Sequence, residues 1–514
     1  MKHGISITVG EAAQKYLLGL DAGNTVIKAV LFDLEGRQVA MQVLDGQTST
    51  PQPGYVERDL GELWANAGTV IAACIAEAGI ASKQIAAVGC AGHGNGLYLL
   101  DKAGAPLLGI QSLDTRAASV AEELSQANGE RLHELCLQKP WPSQTPALLA
   151  WVKRHQPDLY AATGTVLLCK DFITNRLTGA RVSDISDMSG CGFTRMPQAT
   201  YDAELLALYG LADAEEMLPC LIDPADIAGH VTAEAAKVTG LAEGTPVIGG
   251  YFDVVSSALG SGAGCAGDAS IIAGTWSINQ VFSDAPVVDP SVFMVSAFGA
   301  GQFVNIEASA TSAVNLEWYV REFVERGAHH DDPFGYCNQR VGEIAPRLDD
   351  PFFHPFLYGS GQGAEFRAGF YGVAGWHTEG HMLRALFEGV MFEHRRHIAV
   401  LQDAGVKIDR AILSGGGARS PHWPQMFADC LGVPIVVAEA QETGALGAAI
   451  GAAVAVELVA DYADGIAKMT RPRQTFAPNP AMHAHYQKRA EIFATLSDAM
   501  QPIWAQMRSL EDNS

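Results

Sequence analysis

The sequence predicts an α/β protein built from two related domains that face each other across a cleft. Three observations carry this prediction. The chain has 514 residues, and single hydrophobic cores stop growing at roughly 250–300 residues, so two domains of similar size are expected. A strand, tight turn, strand unit, LLGLDAGNTVIKAVLFD, occupies residues 17–33, and the same shape returns near the middle as ASIIAGTWSINQVFSD, residues 269–284. Between these units strand-like apolar runs alternate with amphipathic helical spacing, which argues for α/β layers in both halves.

Taken in order, the residues before Leu17 form a short extension with no clear element. Its sequence, MKHGISITVGEAAQKY, lacks the apolar run of a signal peptide. Both arms of the first hairpin are rich in Val, Ile and Leu, and AGN supplies the turn. Residues 61–79, GELWANAGTVIAACIAEAG, have helical spacing. IAAVGCAG at 85–92 and TVLLCKD at 165–171 are strand-like. The segment GTPVIGGYFDVVSSALGSG, residues 244–262, is glycine-rich enough to hinge, and it divides the chain into 1–257 and 258–514. Beyond the second hairpin, residues 381–405 have helical spacing. LSGGGARSPHWPQMFADCLG, residues 413–432, reads as strand, glycine triplet and a helix opening around Pro421. The densest apolar stretch, GALGAAIGAAVAVELVA at 444–460, is short for a membrane span and carries Glu457, so it reads as a buried helix. The tail from Met482 reads as a mostly exposed closing helix.

Composition narrows the function classes. With 48% hydrophobic and 18% charged residues the chain is globular. A net charge of −23 repels nucleic acid and anionic membranes, so neither is an expected partner. A nucleotide substrate remains open, because Mg²⁺ brings positive charge with it. Nine scattered cysteines without a CxxC pair read as free thiols in a reducing cytoplasm.

The chemistry-bearing residues gather at the turns. Asp21, Gly23, Asn24, Thr25 and Lys28 place backbone N–H groups and short polar side chains on a tight turn, which makes an anion cradle. Asp21, at the end of the first strand, can hold Mg²⁺ through water, and Lys28 can reach a phosphate oxygen as a point charge. An ordinary hairpin with a polar tip is the bland alternative. The second turn, Gly274-Thr275, counts against it, because two facing hairpins can clamp a polyphosphate. Asp253 follows an apolar strand and precedes a helix of small residues. It is either a helix cap or a general base at the hinge. Gly415, Gly416 and Gly417 let backbone approach a flat ring or a phosphate without a Cβ clash. The pattern is neither GxGxxG nor a Walker sequence.

In this order, a DxGxTxxK hairpin, a central FD, a Gly-Thr turn and a GGGAxS helix, the chain resembles the FGGY carbohydrate kinases from Leu17 to about Gln487. The segment AGFYGVAGWHTEGHMLRALFE, residues 368–388, resembles their C-terminal signature. Within the family the resemblance is to the L-xylulose kinase subgroup, through EASATSAVNLEWY (307–319), PFLYGSGQGAEFRAGFYG (355–372) and GGYFDVVSSAL. The resemblance implies two actin-like, RNase H-like domains with ATP and a small sugar in the cleft between them. It implies Asp253 as the catalytic base and Asp21 as the Mg²⁺-associated carboxylate. Thr25 and Lys28 fall on phosphate positions of the first hairpin, Gly274 and Thr275 on the opposing contact, and Gly416, Gly417 and Ala418 on the adenosine motif. A homodimer is compatible with the family.

On the sugar side the sequence departs from the family. D-xylulose kinases read GQMHG where this chain reads GHGNG, so His93 and Asn95 stand at altered positions, and Val254 replaces the usual polar residue after the base. These changes point away from D-xylulose and glycerol. Asp114, in SLDTRA, is a further candidate for a sugar hydroxyl. Other pentuloses and polyols, D-xylulose, ribulose, erythritol and glycerol, remain alternatives.

Several features have bland readings. His377 and His381 are spaced for a metal on one helix face, but HExxH is absent and no third ligand is near. His329, His330, Asp331 and Asp332 read as a polar loop. Trp141 reads equally as a sugar-site wall or as loop packing. A capped turn accounts for Ser186, Asp187 and Ser189 as well as a site border does. The rival from another class is an actin-fold ATPase that hydrolyses ATP without transfer. A sugar-sensing regulator would need a helix-turn-helix, for which the N-terminal extension is too short.

Overall fold

Two mixed sheets with the same pairing order form the centres of the two halves. The computed structural model describes residues 14–299, 301–327 and 329–511, so the extension over residues 1–13 lies outside the described residues. In the N-terminal half the strands run in the order Gln38–Asp45, Val26–Phe32, Tyr16–Ala22, Ile85–Gly92, Pro246–Ile248 and Ile227–His230. Successive pairings are antiparallel, antiparallel, parallel, parallel and antiparallel. In the C-terminal half the order is Gln302–Ser309, Ser277–Ser283, Asp268–Ala273, Arg410–Ser414, Ile435–Ala438 and Pro472–Phe476, with the same five pairings. The repeated hairpin is thus the visible part of a repeat that extends through both sheets. A strand Met294–Gly299 extends the second sheet. A smaller five-stranded sheet inserted in the N-terminal half includes Glu57–Arg58, Leu97–Asp101 and Pro106–Ile110.

Strand periodicity sorts the core. Leu18, Leu20 and Ala22 face one way, with helix Leu60–Ala78, into the outer core of the N-terminal half. Leu17 faces the other way, into a cluster it shares with Val255, Leu259, Ile412, Ala445 and Ala449. That cluster joins the halves through two exchanged helices. Helix Thr443–Ala455 follows a C-terminal strand yet packs on the N-terminal sheet. A Cβ on Gly19 would lie 2.0 Å from the Ala445 carbonyl oxygen, and one on Gly89 would lie 2.1 Å from that of Ala448. Helix Asp253–Ser261 follows N-terminal strands and meets Arg410–Ser414 of the C-terminal sheet. The two helices touch at glycines, since a Cβ on Gly447 would lie 1.9 Å from the Ser256 carbonyl oxygen. The apolar stretch at 444–460 is therefore a buried helix as expected, but only as far as Ala455. Among the described residues no helix is long and apolar enough to cross a membrane.

Two local expectations need correction. TVLLCKD is not one strand: the strand is Thr163–Leu167, and Cys169 opens helix Cys169–Thr178. Asp171 accepts the Leu168 amide at 3.1 Å, and this cap starts the helix where apolar content alone suggested a longer strand. The helix after the glycine triplet opens at Trp423 rather than around Pro421, with Pro424 in its first turn. The closing helix runs Pro480–Glu511 and is mostly exposed, with Tyr486, Arg489, Phe493 and Trp504 on its buried side.

Candidate active site

The first hairpin carries its carboxylate into the cleft by simple alternation. Leu17, Gly19 and Asp21 share one face of the strand. Asp21 therefore meets the start of helix Thr443–Ala455, where a Cβ on Gly444 would lie 2.5 Å from its Oδ2. Burial pushes the Asp21 carboxyl up to about 6; Lys28 opposes the shift and Glu442 adds to it. The turn closes by Gly23 N donating to Val26 O at 3.0 Å. Its tip is pinned from the inserted sheet: Arg58 Nη1 donates to Gly23 O at 3.2 Å, Gln111 Nε2 to Asn24 O at 2.5 Å and Asn24 Nδ2 to Ser112 Oγ at 2.9 Å. Thr25 is exposed. Lys28 donates across the cleft to Glu442 at 2.7 Å.

Asp253 opens the helix Asp253–Ser261, directly after the short strand Tyr251–Phe252 that pairs with Ala91 and Gly92. It does not serve as a helix cap; Phe252 holds that position. Burial raises the Asp253 carboxyl to about 8, the Asp21 charge adds to this, and the Val254 amide partly offsets it. Two desolvated carboxylates facing one cleft suit a divalent cation. Among the described residues no group of three or more His, Cys, Asp or Glu side chains forms a metal site. The two carboxylates fit Mg²⁺, which takes one or two protein carboxylates and completes its shell with phosphate oxygens and water. His377 and His381 instead accept backbone amides through their Nδ1 atoms, from Ala374 at 2.8 Å and Thr378 at 3.1 Å.

The second hairpin and the glycine triplet are built against each other. Gly274 N donates to Trp276 O at 3.3 Å, and Ala313 N donates to Gly274 O at 2.9 Å. Gly415 has φ 80°, and a Cβ there would lie 2.9 Å from Ala273 backbone; both the conformation and the contact require glycine. Gly417 packs on Ala273 and Trp423, whereas Gly416 borders open space. Gly416 lines a cavity of about 750 Å³, with Ala313, Leu316, Phe334, Asn338 and Ser420 among its walls. Its size and apolar walls suit a nucleoside. Asp332, from the polar loop noted above, also lines it and caps the helix Pro333–Gly342 by accepting Gly335 N at 2.8 Å. A second cavity of about 370 Å³ shares Gly416 and continues past Gly415 to Gln441 and Thr443. The two cavities lead from the nucleoside-sized space toward Glu442, Lys28 and Asp21. Ala418 is buried, and its carbonyl accepts Arg473 Nη2 at 2.9 Å.

On the sugar side the expected residues separate. His93 Nε2 is 2.8 Å from Tyr98 Oη and its Nδ1 is 3.4 Å from Gly94 O. Burial lowers the imidazole to about 4, which favours its neutral form. Asn95 is buried at φ 62°, and its Oδ1 has no hydrogen-bond partner among the described residues. Such an orphaned acceptor in a loop at the end of the strand beside Asp253 marks a place for a ligand donor. The Asp114 carboxylate is filled: it accepts Val56 N at 2.6 Å, Arg116 N at 2.8 Å, and Arg116 Nε and Nη2 at 3.0 and 2.8 Å. It therefore has no acceptor left for a sugar, and it holds Arg116, which also pairs with Glu57 at 2.7 Å. Trp141 lies two residues before Ser143, whose carbonyl accepts Gly96 N at 3.1 Å. Its Nε1 is buried without a partner among the described residues, and its ring centre is 6.1 Å from Phe293 of the other half.

Sequence reasoning missed Glu442, the partner of Lys28, which no local pattern marks. It also missed Arg116 and Tyr98, whose signals were present: an Asp-x-Arg spacing and an aromatic five residues after His93. Ser186 and Ser189 bridge the halves. Ser296 Oγ donates to Ser186 O at 2.6 Å, and Ala297 N donates to Ser189 Oγ at 2.8 Å.

Known proteins resemble the chain over nearly its whole length. Residues 16–260 match the N-terminal domain, and residues 269–456 the C-terminal domain, of the FGGY family of carbohydrate kinases. The chain is 35% identical over 500 residues to the L-xylulose/3-keto-L-gulonate kinase of Escherichia coli (strain K12), covering 96% of this chain and 99% of that protein. It is 35% identical over 494 residues to a probable L-xylulose kinase of Pasteurella multocida (strain Pm70), covering 95% and 99%. The solved structure of xylulose kinase from Rhodospirillum rubrum superposes with a TM-score of 0.89 at 28% identity, covering 96% of this chain and all of that one.

Proposed function

The chain belongs to the FGGY family of carbohydrate kinases, and from that premise we propose that it transfers the γ-phosphate of ATP to a hydroxyl of a small ketose, L-xylulose first among them. The observation that carries the reading is Asp253, a carboxyl with a raised pKa at the head of the hinge helix, influenced by the charge of Asp21. The sugar hydroxyl gives its proton to an Asp253 oxygen as its own oxygen bonds to the γ-phosphorus and the bond to the ADP oxygen breaks. General-base assistance of this type contributes roughly 10²–10⁴-fold, and in-line positioning supplies much of the rest. Mg²⁺ held beside Asp21 would supply positive charge that screens the phosphates and favours the ionised form of both carboxyls.

The N-terminal domain, to residue 257, holds the sugar and one phosphate hairpin through Gly23, Asn24 and Thr25. The C-terminal domain, from 258, holds the opposing turn, Gly274 and Thr275, and the adenosine motif Gly416, Gly417 and Ala418. Asn95 Oδ1 accepts from a sugar hydroxyl, His93 stiffens the loop that carries it, and Asp114 acts through Arg116. Lys28 reaches the phosphates once it leaves Glu442. L-xylulose is supported by the names of relatives 35% identical to this chain. One of those names adds a sugar acid, 3-keto-L-gulonate, which is the second candidate. Unpaired thiols throughout suit a reducing cytoplasm.

The test is ADP release with Mg-ATP across pentuloses, sugar acids and polyols. Turnover that rises sharply with L-xylulose supports the proposal. Turnover with another sugar keeps the chemistry and changes the substrate. Hydrolysis indifferent to every sugar supports the actin-fold ATPase instead.

A further inference from the structure

Behind Asp253 lies a buried cluster that the reaction as described does not use. Lys170 is fully buried, with Asp171, Asp184 and Asp187 around its ammonium. Its Nζ hydrogen bonds to Asp171, lies 2.6 Å from Asp184 Oδ2 and 3.6 Å from Asp187 Oδ2. Lone charges are costly in such an interior, and one ammonium cannot balance three carboxylates. Burial pushes the Asp187 carboxyl well up; Lys170 opposes this, and the charges of Asp184, Asp171 and Asp253 add to it. Neither Asp187 oxygen has a hydrogen-bond partner among the described residues.

The cluster connects to Asp253 through backbone. The Lys170 stem lies between two glycines: a Cβ on Gly92 would lie 2.9 Å from its backbone nitrogen, and one on Gly250 would lie 3.3 Å from its Cδ. Gly250 immediately precedes Tyr251–Phe252. Asp184 caps the short helix Ile185–Gly190 by accepting Ser186 N at 2.7 Å, and it also accepts a hydrogen bond from the Ser186 hydroxyl. The Ser186 oxygen then accepts Phe252 N at 3.3 Å, one residue before Asp253. The Ser186 carbonyl accepts Ser296 Oγ of the C-terminal half at 2.6 Å. One short helix is thereby held by the lysine cluster, grips the residue before Asp253 and is clasped by the opposite half.

We propose that Ser186, held in place by the Lys170–Asp184 pair, is a positioning residue that fixes Asp253 and couples its position to the clasp with the C-terminal half. This rests on the reading of Asp253 as the base. Ser186 is fully buried with its hydroxyl between Asp184 and the Phe252 amide, so its loss should act on the chemical step alone.

Steady-state kinetics of the full chain with Mg-ATP and its best sugar test this. Ser186→Ala should lower kcat by about 10- to 100-fold, the scale of a small misplacement of a reacting group. The KM for Mg-ATP and the unfolding temperature should stay near those of the parent, and Ser186→Thr, which keeps the hydroxyl, should recover most of the loss. A Ser186→Ala kcat equal to the parent's overturns the proposal, provided Asp253→Asn is inactive. So does a loss in Ser186→Ala that comes with an equal loss of ATP affinity or of folded protein and is not recovered by Ser186→Thr. An active Asp253→Asn overturns the base assignment, and this inference with it.

Discussion

Lys28 and Glu442 join the two halves by a 2.7 Å ion pair at the mouth of the cleft, one on the first hairpin and the other at the start of an exchanged helix. The ammonium that the sequence offers to a phosphate is already matched to a carboxylate. Nucleotide binding at this corner therefore exchanges one anionic partner for another.

Glu442→Gln should accordingly tighten Mg-ATP binding. The pair is partly exposed, and such pairs contribute about 0.2–1 kcal/mol, so a tightening of Kd by about 1.4- to 5-fold is expected by calorimetry. Removing Glu442 also lowers the carboxyl of Asp21, which acts in the same direction. Unchanged affinity would place the Lys28 ammonium away from the phosphates.

Asp253→Asn should reduce phosphate transfer by about 10²–10⁴-fold while leaving Mg-ATP binding largely intact. It should also stabilise the ligand-free protein, with a pH dependence of known sign. The folded carboxyl holds its proton to about 8, against 3.8 as the ordinary value. Between these values the folded state binds the extra proton, so stability conferred at low pH is lost as pH rises through the window. The variant should match the parent near pH 4 and exceed it at pH 8 and above in thermal unfolding. Equal unfolding temperatures at both ends would mean that the carboxyl is not strained.

Asn95→Gly separates conformation from chemistry. Asn95 has φ 62°, a value glycine adopts freely, so the loop should keep its path and lose only the amide. The sugar KM should rise by about 3- to 10-fold, the scale of one hydrogen bond, with the KM for ATP unchanged. Equal effects on both substrates would assign Asn95 to the loop alone.

Gly19→Ala places a Cβ where the Ala445 carbonyl oxygen stands, 2.0 Å away. Forced separation of the strand from its helix should destabilise the protein by about 1–3 kcal/mol in denaturant unfolding. No loss would mean that the helix slides along the sheet.

What the sequence disclosed was local. Both phosphate turns, the glycine triplet and Asp253 each sit beside their own strand, and strand, turn and helix signals are readable within a few residues. The full repeat was only half visible, because strand pairing between Tyr16–Ala22 and Ile85–Gly92 leaves no mark on either segment. Lys28 and Glu442 lie 414 positions apart, and neither has a pattern that points to the other. The Lys170 cluster was hidden for a different reason. Lys170 and Asp171 end an apolar run that continues a strand on periodicity alone, and the cap that starts the helix is a tertiary detail. Asp114 illustrates the opposite limit: Arg116, two residues away, takes up the carboxylate that composition alone left free for a sugar.

The exchanged helices make the two halves chemically separate and mechanically inseparable. A chain cut between them would strand helix Thr443–Ala455 in one fragment and the sheet it covers in the other. Each fragment alone would bare an apolar strip and be drawn to aggregate. Produced together, the fragments would each carry the helix the other lacks, and activity should return as they reassemble.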